Sequence, residues 1–234
     1  MPDLKIIRKR IASVKNTQKI TRAMKLVAAA RLRKAQENIT RMRPYALQML
    51  RMLSSLAARA GDDEALHPLL ARREPKSAML VVLTSDRGLA GSFNVSVGKA
   101  AFRYARELSG RGITVSVGAI GRKGRDYLRR RGVTIRREFS NIYEDLSYTK
   151  ANEIGDAIAS EYVARDLDAV YLVYNEFKSA ISQKVVIEQL LPIVPMKVLE
   201  ADGAVDFLYE PDQRTILDTL LPLYVNVEIY RALL

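Results

Sequence analysis

The stretch LKIIRKRIASVKNTQKITRAMKLVAAARLRKAQENITRMRPYALQMLRMLSSL, residues 4–56, decides what kind of fold this chain has. Counting alternately by three and four residues from its first leucine visits sixteen positions, of which thirteen are apolar. A seven-residue repeat of this length is typical of a left-handed coiled coil, not of a helix lying on a compact core. At about 1.5 Å per residue the helix should be roughly 80 Å long, so it is expected to protrude from any small domain.

The repeat is interrupted where Gln18, Thr21 and Lys25 occupy positions that are apolar elsewhere. The apolar stripe continues there on neighbouring residues, Met24 among them, so the seam is expected to shift around the helix. Further along, Pro44 lacks a backbone donor and crowds the preceding turn. We therefore expect a kink at Pro44.

A coiled coil needs a second strand of comparable length, and the rest of the chain does not provide one. It offers shorter helical stretches at about 94–110, 122–131, 149–165 and 212–234. The apolar pattern of the last stretch continues to Leu234, with no terminating Gly, Asn or Pro. We expect the native protein to continue as the missing strand, and a stop codon directly after position 234 would contradict this.

The positive charge is confined to one part of the chain. The whole sequence carries a formal charge of +12, and residues 1–60 hold fifteen Lys and Arg against two acids, which gives +13 and leaves −1 for the remainder. Two explanations stay open at this point, a solvated charged face and a basic zipper that binds nucleic acid. The zipper is less favoured because the basic residues are interleaved with apolar ones, and no Asn/Arg base-reading cluster is visible.

Composition excludes several other classes. The absence of cysteine excludes a disulfide framework, a thiolate metal site and a redox switch. The longest apolar runs, such as 78–83 and 169–173, are far shorter than the roughly 20 residues that a membrane helix needs. The first residues show neither a signal peptide nor a transit segment, which favours a bacterial cytoplasmic product.

From residue 76 onward, short β-branched runs alternate with helical segments, which predicts a mainly parallel sheet covered by helices. The predicted fold class is therefore α/β, with a long N-terminal coiled-coil helix, a Rossmann-like α/β domain and a truncated C-terminal coiled-coil helix. The predicted strands are 79–84, 113–119, 133–136, 169–174 and an edge strand at 183–189 that Pro192 and Pro195 end. The predicted domains are the helix 1–58, a flexible linker 59–75, the α/β domain 76–210 and the start of the C-terminal helix 211–234.

The loop TSDRGLAGSFN, residues 84–94, follows the first predicted strand, where doubly wound folds bind phosphates. It lacks the Gly-Lys-Ser/Thr of a P-loop and the third glycine of a dinucleotide fingerprint. A structural turn is favoured, with Asp86 and Arg87 pairing with each other or facing a partner. A nucleotide-binding enzyme stays open as the alternative, and calorimetry with ATP would distinguish the two.

No catalytic constellation is visible. The single histidine, His67, lies in the predicted linker, so histidine triads and histidine metal sites are excluded. Carboxylates such as Glu144 and Asp156 are interpreted as solvated charges, and Tyr171 and Tyr174 as packing aromatics. We therefore expect no enzymatic activity of the chain by itself.

Three motifs carry a resemblance to a known family. The stretch RIASVKNTQKITRAMKLVAA, residues 10–29, resembles the N-terminal signature of F-type ATP synthase gamma subunits. The loop at 84–94 resembles the second hallmark of that family and FLYEPD, residues 207–212, the third. The motifs occur in order along the whole chain. Position 90 is Ala where many members have Cys, and the chloroplast cysteine insert is missing, which argues against a plant protein.

The resemblance implies a central rotor that couples proton-driven rotation of the membrane c-ring to ATP synthesis or hydrolysis in a ring of alpha and beta subunits. ATP, ADP and Mg are then bound by those partners and no cofactor by this chain. The implied partners are the alpha, beta and epsilon subunits and the c-ring, with one copy of this chain per complex and no nucleic acid. The implied location is the cytoplasmic side of the bacterial plasma membrane, where the chain is peripheral.

The resemblance also implies two contact surfaces. The c-ring and epsilon contacts are Phe207, Tyr209 and Glu210. The implied contacts with the alpha/beta ring are Arg8, Lys9, Lys15, Lys19, Arg22, Met24, Lys25, Arg31, Arg33, Asp86 and Arg87.

Met24 lies beside the interruption of the repeat and near these contacts. We expect Met24→Lys to add a strong ionic contact and lower coupling efficiency, which proton pumping per ATP would test.

Overall fold

The computed structural model describes residues 4–59, 67–179, 182–194 and 213–234. Its contacts divide the chain into two compact units, one reaching to Pro44 and the other from Tyr45 to Leu233. Each unit is considered by itself below. Within the described ranges, no helix combines the length and the apolar character needed to cross a membrane.

The first unit is the N-terminal part of helix α1, which spans Leu4–Arg59. The helix continues through Pro44, which lies inside it. The polar residues of the interrupted repeat are accommodated locally, since the hydroxyl of Thr21 donates to the carbonyl of Gln18 at 3.0 Å. The predicted long helix is confirmed.

The second unit contains the last turns of α1 and an α/β domain. Its strands are β1 (Ser77–Leu83), β2 (Thr114–Ile120), β3 (Thr134–Phe139), β4 (Ala169–Phe177) and β5 (Gln183–Leu191). Its other helices are α2 (Phe93–Gly110), α3 (Arg122–Arg129), α4 (Tyr148–Val163) and α5 (Gln213–Leu233). All five predicted strands and all four predicted shorter helices are present, with ends displaced by a few residues.

The strands form one sheet in the order β3-β2-β1-β4-β5. The pairs β1–β2, β1–β4 and β2–β3 are parallel, and β5 pairs antiparallel with β4 at the edge. The first strand lies in the centre and is buried along almost its whole length, as a strand covered by helices on both faces should be. The sheet brings the carboxyl ends of β1 and β2 together, and this edge positions the 84–94 loop.

The predicted linker is described from residue 67 onward, and His67 and Leu69 are buried there. Leu69 is 1% exposed and its carbonyl accepts a hydrogen bond from the amide of Ile193 at 2.9 Å. The imidazole of His67 accepts from the amide of Leu69 at 3.1 Å and lies 3.5 Å from the carboxylate of Asp218. Burial lowers the pKa of His67, with Asp218 opposing that shift. The start of the described segment is therefore held by burial and hydrogen bonds, and the flexibility of the linker as a whole stays a prediction.

Candidate functional site

The first candidate surface is the N-terminal unit. Its apolar repeat is open to solvent, with Leu4 65%, Ile11 50% and Val14 68% exposed. An apolar stripe of this extent on a helix is typical of a surface that binds another helix or a protein partner. All nine predicted contact residues on this helix are exposed, namely Arg8, Lys9, Lys15, Lys19, Arg22, Met24, Lys25, Arg31 and Arg33.

Basic side chains therefore flank an exposed apolar stripe. One of them is paired within the helix, since Arg33 contacts Glu37 at 3.0 Å across one turn. Both partners of this pair are more than half exposed, so it stabilises the helix weakly, by about 0.3–0.5 kcal/mol. The surface suits an acidic partner that also supplies apolar side chains.

The second candidate surface is the loop after β1, whose base is fixed by hydrogen bonds. The hydroxyl of Thr84 donates to the carbonyl of Ile120 at 3.0 Å and accepts from the amide of Gly124 at 2.8 Å. The amide of Ser85 donates to the side-chain oxygen of Asn94 at 2.9 Å, which joins the two ends of the loop. These bonds tie β1, β2, α2 and α3 together at one edge.

Asp86 is part of that base. Its carboxylate accepts from the amide of Arg122 at 3.1 Å and from the amide of Asn141 at 3.0 Å, and its side chain is 9% exposed. The guanidinium of Arg122 lies 3.4 Å away. Both carboxylate oxygens are thus used within the fold, and the contact of Asp86 with the alpha/beta ring stays a prediction. Asp86 pairs with Arg122 instead of Arg87, because α3 begins directly beneath the loop.

The tip of the loop is exposed. The side chain of Arg87 is 83% exposed and lies 4.0 Å from Glu144. Leu89 is 95% exposed and has a φ of 62°, a conformation that a leucine adopts at a cost in energy. A rigid base therefore presents a basic and an apolar side chain to the outside.

The polar groups of this loop are engaged internally, which favours the structural reading over a phosphate site. The hydroxyl of Ser85 donates to the carbonyl of Arg87 at 2.6 Å, and the side-chain amide of Asn94 donates to that hydroxyl at 2.9 Å. The guanidinium of Arg122 is paired with Asp86, so its charge is already engaged within the fold. Among the described residues, no group of three or more His, Cys, Asp or Glu is arranged to hold a metal ion.

Other predicted residues lie elsewhere. Phe207, Tyr209 and Glu210 fall outside the described residues, so their contacts stay predictions. Tyr174 is buried and Tyr171 packs edge-on against Tyr104, as expected of packing aromatics.

Sequence reasoning missed an ion cluster formed by Arg231, Glu228 and Glu188. The spacing of Glu228 and Arg231, three residues apart on a helix, is a local signal that could have been read. The third member comes from β5, and only the packed fold brings it close.

The family model described as ATP synthase matches residues 3–234. A protein of Anaeromyxobacter named ATP synthase gamma chain is 48% identical over 235 residues, a match that covers 100% of this chain and 81% of that protein. The chain belongs to the ATP synthase gamma chain family.

Two further matches agree with the gamma assignment. The ATP synthase gamma chain of Sorangium cellulosum is 44% identical over 266 residues, covering 100% of this chain and 82% of that protein. A chain in the central stalk and c-ring structure of the Tetrahymena thermophila mitochondrial ATP synthase superposes with a TM-score of 0.66 at 25% identity. That match covers 92% of this chain and 91% of the other. The gamma fold of a long N-terminal helix and a mostly parallel α/β domain is thereby confirmed.

Proposed function

We propose that this chain is the central rotary stalk of a bacterial F-type ATP synthase, which couples rotation of the c-ring to ATP synthesis or hydrolysis in the alpha/beta ring. The observation that carries the proposal is the exposed apolar repeat of the N-terminal unit, flanked by basic side chains, in a member of the gamma family. The chain itself is non-catalytic in this proposal. Nucleotides and Mg belong to the partner subunits.

Weak contacts suit this role. A rotor must favour one catalytic subunit over its neighbours at each angle, because a ligand that binds all states equally shifts none of them. Exposed ion pairs contribute about 0–1 kcal/mol each, so basic residues such as Lys15 and Arg22 attract acidic loops without locking rotation. The apolar stripe is then covered by the second strand of the coiled coil and by the inner surface of the ring.

The finer assignments follow the same proposal. One copy of the chain binds the alpha and beta subunits through the N-terminal helix, and Arg87 at the exposed loop tip adds a contact. Phe207, Tyr209 and Glu210 belong to the region proposed to meet the c-ring and the epsilon subunit. The complex holds the chain peripherally at the cytoplasmic face of the plasma membrane.

Co-purification tests the proposal. The chain carries an affinity tag and is co-expressed with the alpha, beta and epsilon subunits of its own organism. We expect all three to be retained in a fixed ratio, with ATPase activity in the retained complex. Purification of the chain alone, or salt-sensitive retention of DNA, would contradict the proposal.

A further inference from the structure

One ion cluster joins the C-terminal helix to the edge of the sheet. The Nη2 atom of Arg231, on α5, lies 2.7 Å from Oε2 of Glu188 on β5 and 2.7 Å from Oε2 of Glu228 on its own helix. The hydroxyl of Tyr174, on β4, donates to the same Glu188 oxygen at 2.9 Å. The elements β4, β5 and α5 are thus joined at one carboxylate oxygen of Glu188.

The cluster is partly withdrawn from water. The side chains of Glu228, Arg231 and Glu188 are 10%, 37% and 42% exposed. Burial raises the pKa of Glu228, and the attraction of Arg231 opposes that shift. Charge-assisted hydrogen bonds are short and directional, and the bond between Arg231 and Glu228 is better shielded from water than the bond to Glu188.

The location is where the helices meet the sheet. A cavity of about 310 Å³ beside the cluster is lined by Leu50 of α1, Leu172 of β4 and Leu190 of β5, together with Tyr224 and Glu228 of α5. Earlier on the same face of α5, Leu217 and Leu221 are fully buried. The cluster therefore stands at the junction between the α/β domain and the helices.

A rotor places a mechanical demand on this junction. If the c-ring turns the α/β domain, torque must pass from the domain into the helices. The chain segments that link the domain to the helices bend easily by themselves, so noncovalent contacts must resist bending at this junction. Apolar packing resists separation but has little directional preference, so side chains can slide. A directional bond from β5 to α5 resists that sliding.

We propose that Arg231 is a positioning residue for torque transmission, which clamps α5 to the β4–β5 edge and sets the torsional stiffness between the α/β domain and the C-terminal helix. This inference rests on the proposed rotary function. Arg231 acts through its bonds to Glu188 and Glu228 and touches no nucleotide.

The test measures stiffness in the assembled complex. The chain has no cysteine, so Ser109→Cys at the exposed end of α2 accepts a single optical probe. Complexes are immobilised through the alpha/beta ring without nucleotide, and the angular fluctuation of the probe is recorded. We expect Arg231→Met to increase the angular variance by about twofold, because it removes the guanidinium that bonds β5. Glu188→Gln should increase it by a smaller amount, because a neutral amide oxygen replaces the carboxylate acceptor.

Two controls separate this role from a merely structural one. Arg231→Lys keeps a charged donor and should restore most of the stiffness, and Arg214→Met removes an exposed arginine of the same helix and should leave the variance unchanged. Proton pumping per ATP should fall in Arg231→Met while ATPase activity is kept. If Arg231→Met does not assemble, Glu188→Gln carries the test, since Arg231 keeps its bond to Glu228.

The possible failures are distinguishable. Unchanged variance in Arg231→Met or in an assembled Glu188→Gln complex would overturn the role of Arg231, even if the complexes rotate normally. A complex of the unsubstituted chain that hydrolyses ATP without rotating the probe would overturn the rotary function itself.

Discussion

The two units of the molecule differ in the exposure of their apolar side chains. In the N-terminal unit Leu4 and Val14 are 65% and 68% exposed, whereas Leu80 on the central strand is fully buried. The α/β domain satisfies its own apolar side chains, and the helix leaves its stripe for something else to cover. The second unit thus covers its own core, and the N-terminal helix has an exposed apolar stripe that is available to a partner.

Matched leucine substitutions in the two units should give the largest difference in unfolding free energy. Leu80→Ala empties a site that is 0% exposed and should cost about 2–5 kcal/mol of unfolding free energy. Leu26→Ala removes the same atoms from a side chain that is 67% exposed, and should change stability by less than about 0.5 kcal/mol. Urea unfolding of the isolated chain measures both. Equal costs would show that the helix also has a core of its own.

Two glycines give a second, smaller contrast within the α/β domain. Gly121 has a φ of 86°, and a Cβ there would lie 2.0 Å from the carbonyl oxygen of Thr84. Gly88, at the exposed loop tip, has nothing within 4 Å of such an atom. We expect Gly121→Ala to cost about 2–3 kcal/mol and Gly88→Ala to cost little, as measured by denaturant unfolding. A tolerant Gly121 would mean that the loop base is not rigid.

The loop after β1 carries two charged residues with different surroundings, Asp86 bonded within the fold and Arg87 exposed at the tip. Asp86→Asn leaves one of the two backbone amides without its acceptor and weakens the contact with Arg122, at a cost of about 1–2 kcal/mol. Arg87→Ala should change the unfolding free energy of the isolated chain by less than about 0.5 kcal/mol. In the complex it should lower the coupling of ATP hydrolysis to proton pumping. Thermal unfolding and ATP-driven proton pumping check the two halves. The reverse result would assign the structural role to Arg87.

Asp168 should respond to pH in the manner of a hydrogen-bonded carboxylate. Burial raises the pKa of Asp168, but hydrogen bonds from the amides of Ser77 and Lys76 outweigh burial, so the net pKa lies below its usual value. Because the pKa is lowered in the folded state, the ionised carboxylate stabilises the fold at pH values above the unfolded-state pKa of about 3.9. This contribution is lost as the pH falls through the folded-state pKa. The stability difference between wild type and Asp168→Asn should therefore shrink below about pH 4.

Glu228 should show the opposite sign. Its raised pKa means that the folded state favours the protonated carboxyl group. The resulting contribution to stability is present below about pH 4.3 and is lost as the pH rises through the folded-state pKa. Relative to Glu228→Gln, the wild type should lose stability as the pH increases from about 4 to about 7. Parallel pH profiles for the Asp168 and Glu228 pairs of proteins would contradict these assignments.

The sequence predicted what local patterns determine and missed what packing determines. The heptads and the β-branched runs placed the long helix and all five strands, because periodicity is written in neighbouring residues. The inward turn of Asp86 could not be predicted, since its partners Arg122 and Asn141 follow 36 and 55 residues later. The bond between Arg231 and Glu188 joins residues 43 apart, and only the antiparallel edge brings them together.

Rotation observed directly tests the account best. A probe on Ser109→Cys is followed in complexes immobilised through the alpha/beta ring while ATP is supplied, with the cysteine-free chain as the labelling control. The account predicts continuous rotation of the probe in one direction that stops when ATP is removed. A stationary probe on complexes that hydrolyse ATP at their normal rate would contradict it.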